Sequence, residues 1–277
     1  MAKLTKVQFK KHNEAEEILQ QDRLSTEDKE FVLEHWDPSA LHVNSAASAF
    51  FTPIDLAVSF ACMLGHPGSI IDLCAGIGAL SYACTPVYGD PPRMVCIEMN
   101  PDYVRVGRKI VPHAEWIQAD VFDVLDMGLG RFGAAISNPP FGKVAKGSKD
   151  APGIKGDFEF HVIGLAMALA EYGQFILPQM SAGFMYSGRP YYERAKEGKA
   201  FEFQAKHGLH FDCCSIDTDF ARKDWKGTAP VTEVVSVERI DLPAVAPQQP
   251  AAVPANDNTP LDLFSLEASN DQHHKLS

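Results

Sequence analysis

The stretch of this sequence with the most demanding chemistry is Asn138-Pro139-Pro140-Phe141. Two prolines supply no backbone donors and fix a rigid turn, so they hold an amide and an aromatic ring in one place. That set suits an exocyclic amine whose lone pair is conjugated into a π-system and is therefore a poor nucleophile. The Asn138 side-chain oxygen and the Pro139 carbonyl can each accept one of its N–H groups. The nitrogen then becomes pyramidal and its lone pair points at an electrophile. Phe141 can stack on the planar substrate. No strong base is required, because the cationic product loses its proton afterwards. A purely structural Asn-Pro-Pro turn is the alternative.

Three further segments precede this one. Asp72-Leu73-Cys74-Ala75-Gly76-Ile77-Gly78 follows an apolar run. Gly76 and Gly78 let the backbone turn tightly and approach a ligand, and the start of a helix there offers N–H groups to a carboxylate. Asp72 can accept from an ammonium group. Dinucleotide-binding turns read G-x-G-x-x-G, and here Ser81 stands at the third glycine position, which counts against that reading. Glu98 lies 26 residues beyond Asp72 and can take both hydroxyls of a ribose. Asp120 closes the series and can accept from an adenine amino group. Taken singly, Glu98 and Asp120 are also explained as solvated acids at strand ends.

These residues need elements to position them. Apolar runs at 69–74, 94–98, 115–118, 133–137 and 174–177 read as strands, and 211–215 and 231–237 as closing strands. Helical stretches are expected from about residues 78 and 102, over 158–172 and over 191–207. Ser25-Thr26-Glu27-Asp28 reads as a helix cap. This alternation implies an α/β fold with a mostly parallel, seven-stranded sheet and helices on both faces. In such sheets ligands bind outside the carboxyl ends of the strands, where strand order reverses.

The 277 residues divide into an N-terminal helical extension (1–44), a main domain (45–241) and a Pro/Ala-rich tail (242–277) expected to be disordered. With 45% hydrophobic residues the chain has enough apolar surface for a full core. No apolar run reaches the length of about 18 residues that a membrane helix needs, and the basic, polar start is not a secretory signal. Six scattered cysteines without Cys-x-x-Cys or zinc spacing read as free thiols in a reducing cytoplasm, with no metal site. The net charge of −11 argues against binding nucleic acid through bulk charge. Residues 142–227, however, carry 12 basic and 11 acidic side chains. The loop after the Asn138 motif holds Lys143, Lys146, Lys149 and Lys155, placed for phosphate contact. Phe220 and Trp225, beside Arg222, Lys223 and Lys226, form an aromatic–basic mix that could stack a base. A solvated loop and a sheet-edge aromatic are the bland readings of the two segments.

Together the motifs resemble those of class I S-adenosylmethionine-dependent amino-methyltransferases, whose signature is (Asp/Asn)-Pro-Pro-(Tyr/Phe/Trp). Phe51-Thr52-Pro53 resembles the Tyr-Thr-Pro segment that precedes the glycine turn in the gamma group of adenine methyltransferases and lines the methionine end of the cofactor. Thr52-Pro53 first and the Asn138 motif later matches that group's order. The Asn138 motif with Gly142 also resembles small ribosomal-RNA adenine methyltransferases. The resemblance spans roughly residues 45–240 in arrangement and four short segments in identity. It implies a Rossmann-like class I fold, S-adenosylmethionine as cofactor, and methylation of an exocyclic nitrogen, foremost N6 of adenine in DNA or RNA. The implied cofactor set is Phe51, Thr52, Pro53, Asp72, Ala75, Gly76, Gly78, Glu98, Met99, Asp120, Val121 and Asn138. Asn138, Pro139, Pro140 and Phe141 would act on the amine, and Lys143, Lys146, Phe220 and Trp225 on the substrate. Only about 35 residues follow the last strand, where sequence-specific DNA members carry a large target-recognition domain, so a partner subunit for target recognition is expected. The alternatives are a protein-glutamine or guanine amino-methyltransferase and an inactive binding module of the same fold. A nicotinamide-dependent oxidoreductase leaves Asn138-Pro139-Pro140 unexplained.

Overall fold

The computed structural model describes residues 4–40, 51–141, 149–226 and 231–240. Two capped helices come first, α1 (Lys6–Ile18) and α2 (Thr26–His35), with Thr5 and Ser25 each completing a capping box. The helices that follow are α3 (Ile54–Leu64), α4 (Ala79–Ala83), α5 (Pro101–Ile110), α6 (Phe158–Leu169), α7 (Gln179–Ala182) and α8 (Lys199–His207). The strands are β1 (Ser69–Leu73), β2 (Arg93–Glu98), β3 (Glu115–Gln118), β4 (Phe132–Ser137), β5 (Ala170–Pro178), β6 (Phe184–Met185), β7 (Glu193–Arg194), β8 (Leu209–Cys213) and β9 (Thr232–Arg239).

Seven strands form one sheet in the order β3-β2-β1-β4-β5-β9-β8, and β6 and β7 pair separately as a hairpin. β1 to β5 are parallel, and β9 runs antiparallel between β5 and β8. The chain winds outward from β1 to β3, then returns to the other side of β1 with β4. The carboxyl ends of β1 and β4 therefore flank the switch point.

The buried runs work because each strand divides its side chains between two faces. Ile70, Met94, Ala134 and Ile176 join one core cluster with α3, α5 and the first two helices. Ile71, Val95, Ala135 and Phe175 join the other with α6 and α8. Among the described residues no helix is long and apolar enough to cross a membrane.

Two boundaries differ from the sequence expectation. The helix expected over 158–172 ends at Leu169, and Ala170 is already paired with Phe132 at the start of β5. A helix-compatible stretch is drawn into the sheet because pairing with β4 satisfies its backbone. The helix expected over 191–207 begins only at Lys199. Gly198 sits at φ +105°, outside the helical region, and the residues before it belong to the β6–β7 hairpin.

Candidate functional site

One pocket at the switch point is lined by Phe51, Thr52, Asp72, Gly76 and Asn138. It joins the glycine turn, the Thr-Pro segment and the Asn-Pro-Pro turn, which lie far apart in sequence. The ends of β1 and β4 are tied by the Ser137 hydroxyl, which donates to the Leu73 carbonyl.

Asp72 is 1% exposed. Ser81 Oγ donates to its Oδ2 at 2.6 Å, while Oδ1 has no hydrogen-bond partner among the described residues. Burial pushes its pKa up to about 7, the Ser81 bond pulls it down, and Glu98 raises it further. Ser81 therefore does more than break a glycine pattern, because it clamps the one carboxylate at the end of β1.

The turn after Asp72 is strained at Cys74, a non-glycine residue at φ +61°. Gly76 follows at φ +58°, and a Cβ there would meet the Phe51 ring at 3.4 Å, so a side chain would fill the cleft mouth. Glu98 braces this turn. Its Oε2 accepts from Gly76 N at 2.9 Å and its Oε1 from Asn100 N at 2.8 Å. Burial raises its pKa while the backbone donors oppose the rise. Met99 beside it is 67% exposed. The helix expected after Gly78 is only the five residues of α4, too short to contribute an anion site of its own.

Asp120 caps a short 3-10 helix, with its Oδ1 accepting from Phe122 N at 3.1 Å, and Val121 behind it is buried. Its Oδ2 takes Lys149 Nζ at 3.1 Å, and Asp123 takes the same ammonium at 2.8 Å. Lys149, expected to serve phosphates, is thus occupied by acids of the same edge. Lys143 and Lys146 lie outside the described residues.

At the end of β4, Asn138 Nδ2 donates to Thr52 Oγ1 at 2.9 Å. This bond uses the donor end of the amide and sets its orientation. Pro139 is buried, and Phe141 packs partly against the core. Thr52 in turn is fixed by its neighbour Phe51, whose ring meets Tyr103 edge-on at 5.1 Å and Trp36 at 6.0 Å. Tyr103 is 3% exposed, and its hydroxyl has no hydrogen-bond partner among the described residues. No local motif marks Tyr103 in the sequence.

The segment 220–226 does not act as one unit. Phe220 is 54% exposed, in keeping with an open ring. Trp225 is buried in the core cluster and offers no face to a base, contrary to expectation. Lys226 turns inward, donating to the Leu33 and Trp36 carbonyls at 3.1 and 2.6 Å and lying 5.5 Å over the Phe51 ring. Burial lowers its pKa to about 8, against the pull of Asp37 and Glu34. It caps the end of α2 and steadies Phe51, so it is not available to a phosphate. Among the described residues no group of three or more His, Cys, Asp or Glu side chains could hold a metal ion.

No protein-family model and no curated protein matches the sequence. Solved structures match the fold. A Listeria monocytogenes protein provisionally assigned as a class I S-adenosylmethionine-dependent methyltransferase superposes with a TM-score of 0.54 at 14% identity, over 83% of this chain and 73% of that one. TrmN from Thermus thermophilus gives 0.45 at 12% identity over 68% of this chain, which spans about half (49%) of TrmN's length. A Pyrococcus horikoshii protein provisionally assigned as an RNA methyltransferase gives 0.45 at 19% identity, over 70% of this chain and 87% of that one. The strand order, the switch-point pocket and the first of these matches agree: the chain has the Rossmann-like class I methyltransferase fold.

Proposed function

We propose that this chain transfers a methyl group from S-adenosylmethionine to an exocyclic amino nitrogen, with N6 of adenine in DNA or RNA as the acceptor. The observation that carries the reading is the shared pocket. Asn138, oriented by Thr52, lines the same cleft as Asp72 and Gly76.

The residues fit the cofactor. The buried Asp72 Oδ1, without a partner among the described residues, suits an ammonium group. The side-chain-free edge at Gly76 leaves room beneath Phe51. Glu98 would take the ribose hydroxyls on lone pairs not used by Gly76 and Asn100. Asp120, Met99 and Val121 would meet the adenine end, and Thr52 and Pro53 the methionine end. The cofactor's contribution is an electrophilic methyl on a sulfonium. The chain's own work is to bind, orient and accept protons. The Asn138 carbonyl oxygen and the Pro139 carbonyl accept the two amine N–H bonds, which localises the lone pair on nitrogen. Phe141 stacks on the ring that carries the amine.

The test is transfer of tritiated methyl from the cofactor to DNA, RNA and protein fractions, followed by analysis of the hydrolysed products. Label in N6-methyladenine supports the reading. Label only in methylglutamine or in a guanine derivative keeps the amino chemistry and overturns the adenine assignment. No label in any fraction, with cofactor bound, overturns the enzyme.

A further inference from the structure

Resting on the acceptor reading above, we propose that the β6–β7 hairpin and the turn at Phe220 form a platform for the unpaired strand of a polynucleotide on either side of the reacting base. β4 and β5 are adjacent parallel strands, with Ser137 paired to Phe175 and β5 running on to Pro178. The chain leaving β5 therefore starts at the same sheet edge as the Asn138 turn, one strand away, at a spacing of roughly 5 Å. β9 enters at that edge, since Thr232 pairs with Pro178.

The hairpin is fastened there by Glu233, a carboxylate with 0% exposure. Its oxygens accept from Tyr186 N at 2.7 Å, Ser187 N at 3.0 Å, Ser187 Oγ at 2.8 Å and Gln179 Nε2 at 2.7 Å. The Phe220 turn is stitched to the same hairpin. Thr218 N donates to Ser187 Oγ at 3.0 Å, and Gly188 N to Asp217 Oδ1 at 3.0 Å. Buried bonds thus hold a base from which every residue of 188–199 projects into solvent.

What projects has the chemistry of single-strand binding. Met180, Tyr191, Phe220 and Tyr192 are 94, 70, 54 and 41% exposed. Large apolar side chains in solvent at one place mark a binding surface better than isolated ones do. Residues 186–199 carry four basic and two acidic side chains, in a chain whose net charge is −11, and of the four Lys199 is paired with Asp157 at 2.6 Å. Arg189 and Arg194 form no ion pair with a carboxylate among the described residues: Arg189 meets Met185 Sδ at 3.4 Å, and Arg194 meets His210 Nδ1 at 3.4 Å and the Tyr192 hydroxyl. The exposed rings of Tyr191 and Phe220, beside guanidinium groups that no carboxylate neutralises among the described residues, suit bases that are already unstacked, with phosphates between them. A duplex hides its base faces and would leave the rings unused.

The experiment measures binding of labelled single-stranded DNA and RNA of one sequence, and of the matching duplex, over a salt series. The proteins are wild type, Tyr191→Ala/Phe220→Ala and Arg189→Ala/Arg194→Ala. Cofactor affinity and thermal unfolding serve as controls, and neither should move, because the replaced side chains are exposed. The aromatic pair should weaken single-strand affinity roughly ten- to a hundredfold. The arginine pair should reduce the slope of log affinity against log salt by about 1.4. Unchanged affinity and slope in the folded variants overturn the platform, and so does tighter wild-type binding to duplex. If the wild type transfers methyl to adenine while both variants bind normally, the platform alone falls. If the wild type binds no polynucleotide and methylates protein, the platform and the adenine assignment fall together.

Discussion

At the carboxyl ends of β1 and β2 a buried and a half-buried carboxylate are each held by neighbouring groups. Asp72 is held by Ser81, and Glu98 by Gly76 and Asn100. Across the switch point, beyond β5, the buried carboxylate is Glu233, and it bonds to Gln179 of α7 and to the loop it fastens. The side chains that face outward there, Tyr191 and Arg189 among them, are exposed. The first region is suited to a small ligand of fixed shape, where preorganised acceptors avoid rearrangement on binding. The second is suited to a long, variable ligand, where open rings and free cations tolerate many sequences. Asn138 stands between them, tied to Thr52.

The sharpest way to separate the two regions is at their junction. Asn138→Ala should lower single-turnover methyl transfer by about 10²–10³, the scale for losing one preorganised polar group at a reacting centre. Cofactor affinity, measured by calorimetry, should stay nearly unchanged. Near wild-type transfer by the folded variant would remove the acceptor role. A smaller effect is expected from the cofactor side. Glu98→Ala should weaken cofactor binding by about 1–3 kcal/mol, because hydrogen bonds to a charged group are lost. Polynucleotide affinity without cofactor should not change. A loss of both would mean that the two regions are not separable.

The pH dependence tests whether Asp72 behaves as a buried acid. Its pKa of about 7 in the folded chain is raised from the ordinary value of 3.8. A raised acid contributes stability that is complete below the ordinary value and is lost as pH rises through the folded one. The ligand-free protein should therefore lose this contribution between about pH 4 and 7. Binding of a cationic group requires the ionised form, so cofactor affinity should climb with pH up to about 7 and then level off. Asp72→Asn should flatten that climb. Ser81→Ala removes the bond that lowers the pKa, so it should move the midpoint upward. Calorimetric titrations across this range check both, and a pH-independent affinity in wild type would contradict the assignment. The smallest effect is expected from Thr52→Val, which keeps the packing beside Phe51 and loses only the bond to Asn138. Single-turnover transfer at saturating cofactor should slow by the equivalent of about 1 kcal/mol, the net worth of an ordinary hydrogen bond.

Much of this was legible in the residues. Strand β1, the turn at Gly76 and Gly78, and the acids at successive strand ends follow from buried apolar runs and local backbone chemistry. Proline chemistry made the Asn138 turn conspicuous. Where the reading failed, a long-range bond decided. Trp225 looks like a loop aromatic until the core closes over it, and Lys226 looks free until it meets the carbonyls of Leu33 and Trp36, more than 180 positions away. Lys149 sits in a basic loop, yet the nearest groups in space are Asp120 and Asp123. The hairpin of β6 and β7 gives no strand signal in two-residue pieces, and long-range contacts hold it in place, among them the buried Phe184, Glu233 and the Phe220 turn.

The sequence by itself determined the order of the strands along the chain, the place of the glycine turn and the identity of the amide and ring at residues 138 and 141. These depend on period, on apolar runs and on the φ limits of glycine and proline, which are properties of a few neighbouring residues. The tertiary structure alone decided that Thr52 meets Asn138 across 86 positions, that Ser81 rather than a glycine supports Asp72, and which cations face solvent. Those outcomes depend on which groups the folded sheet brings within 3 Å or so of one another and shields from water, and a hydrogen bond of that length carries no trace in local sequence.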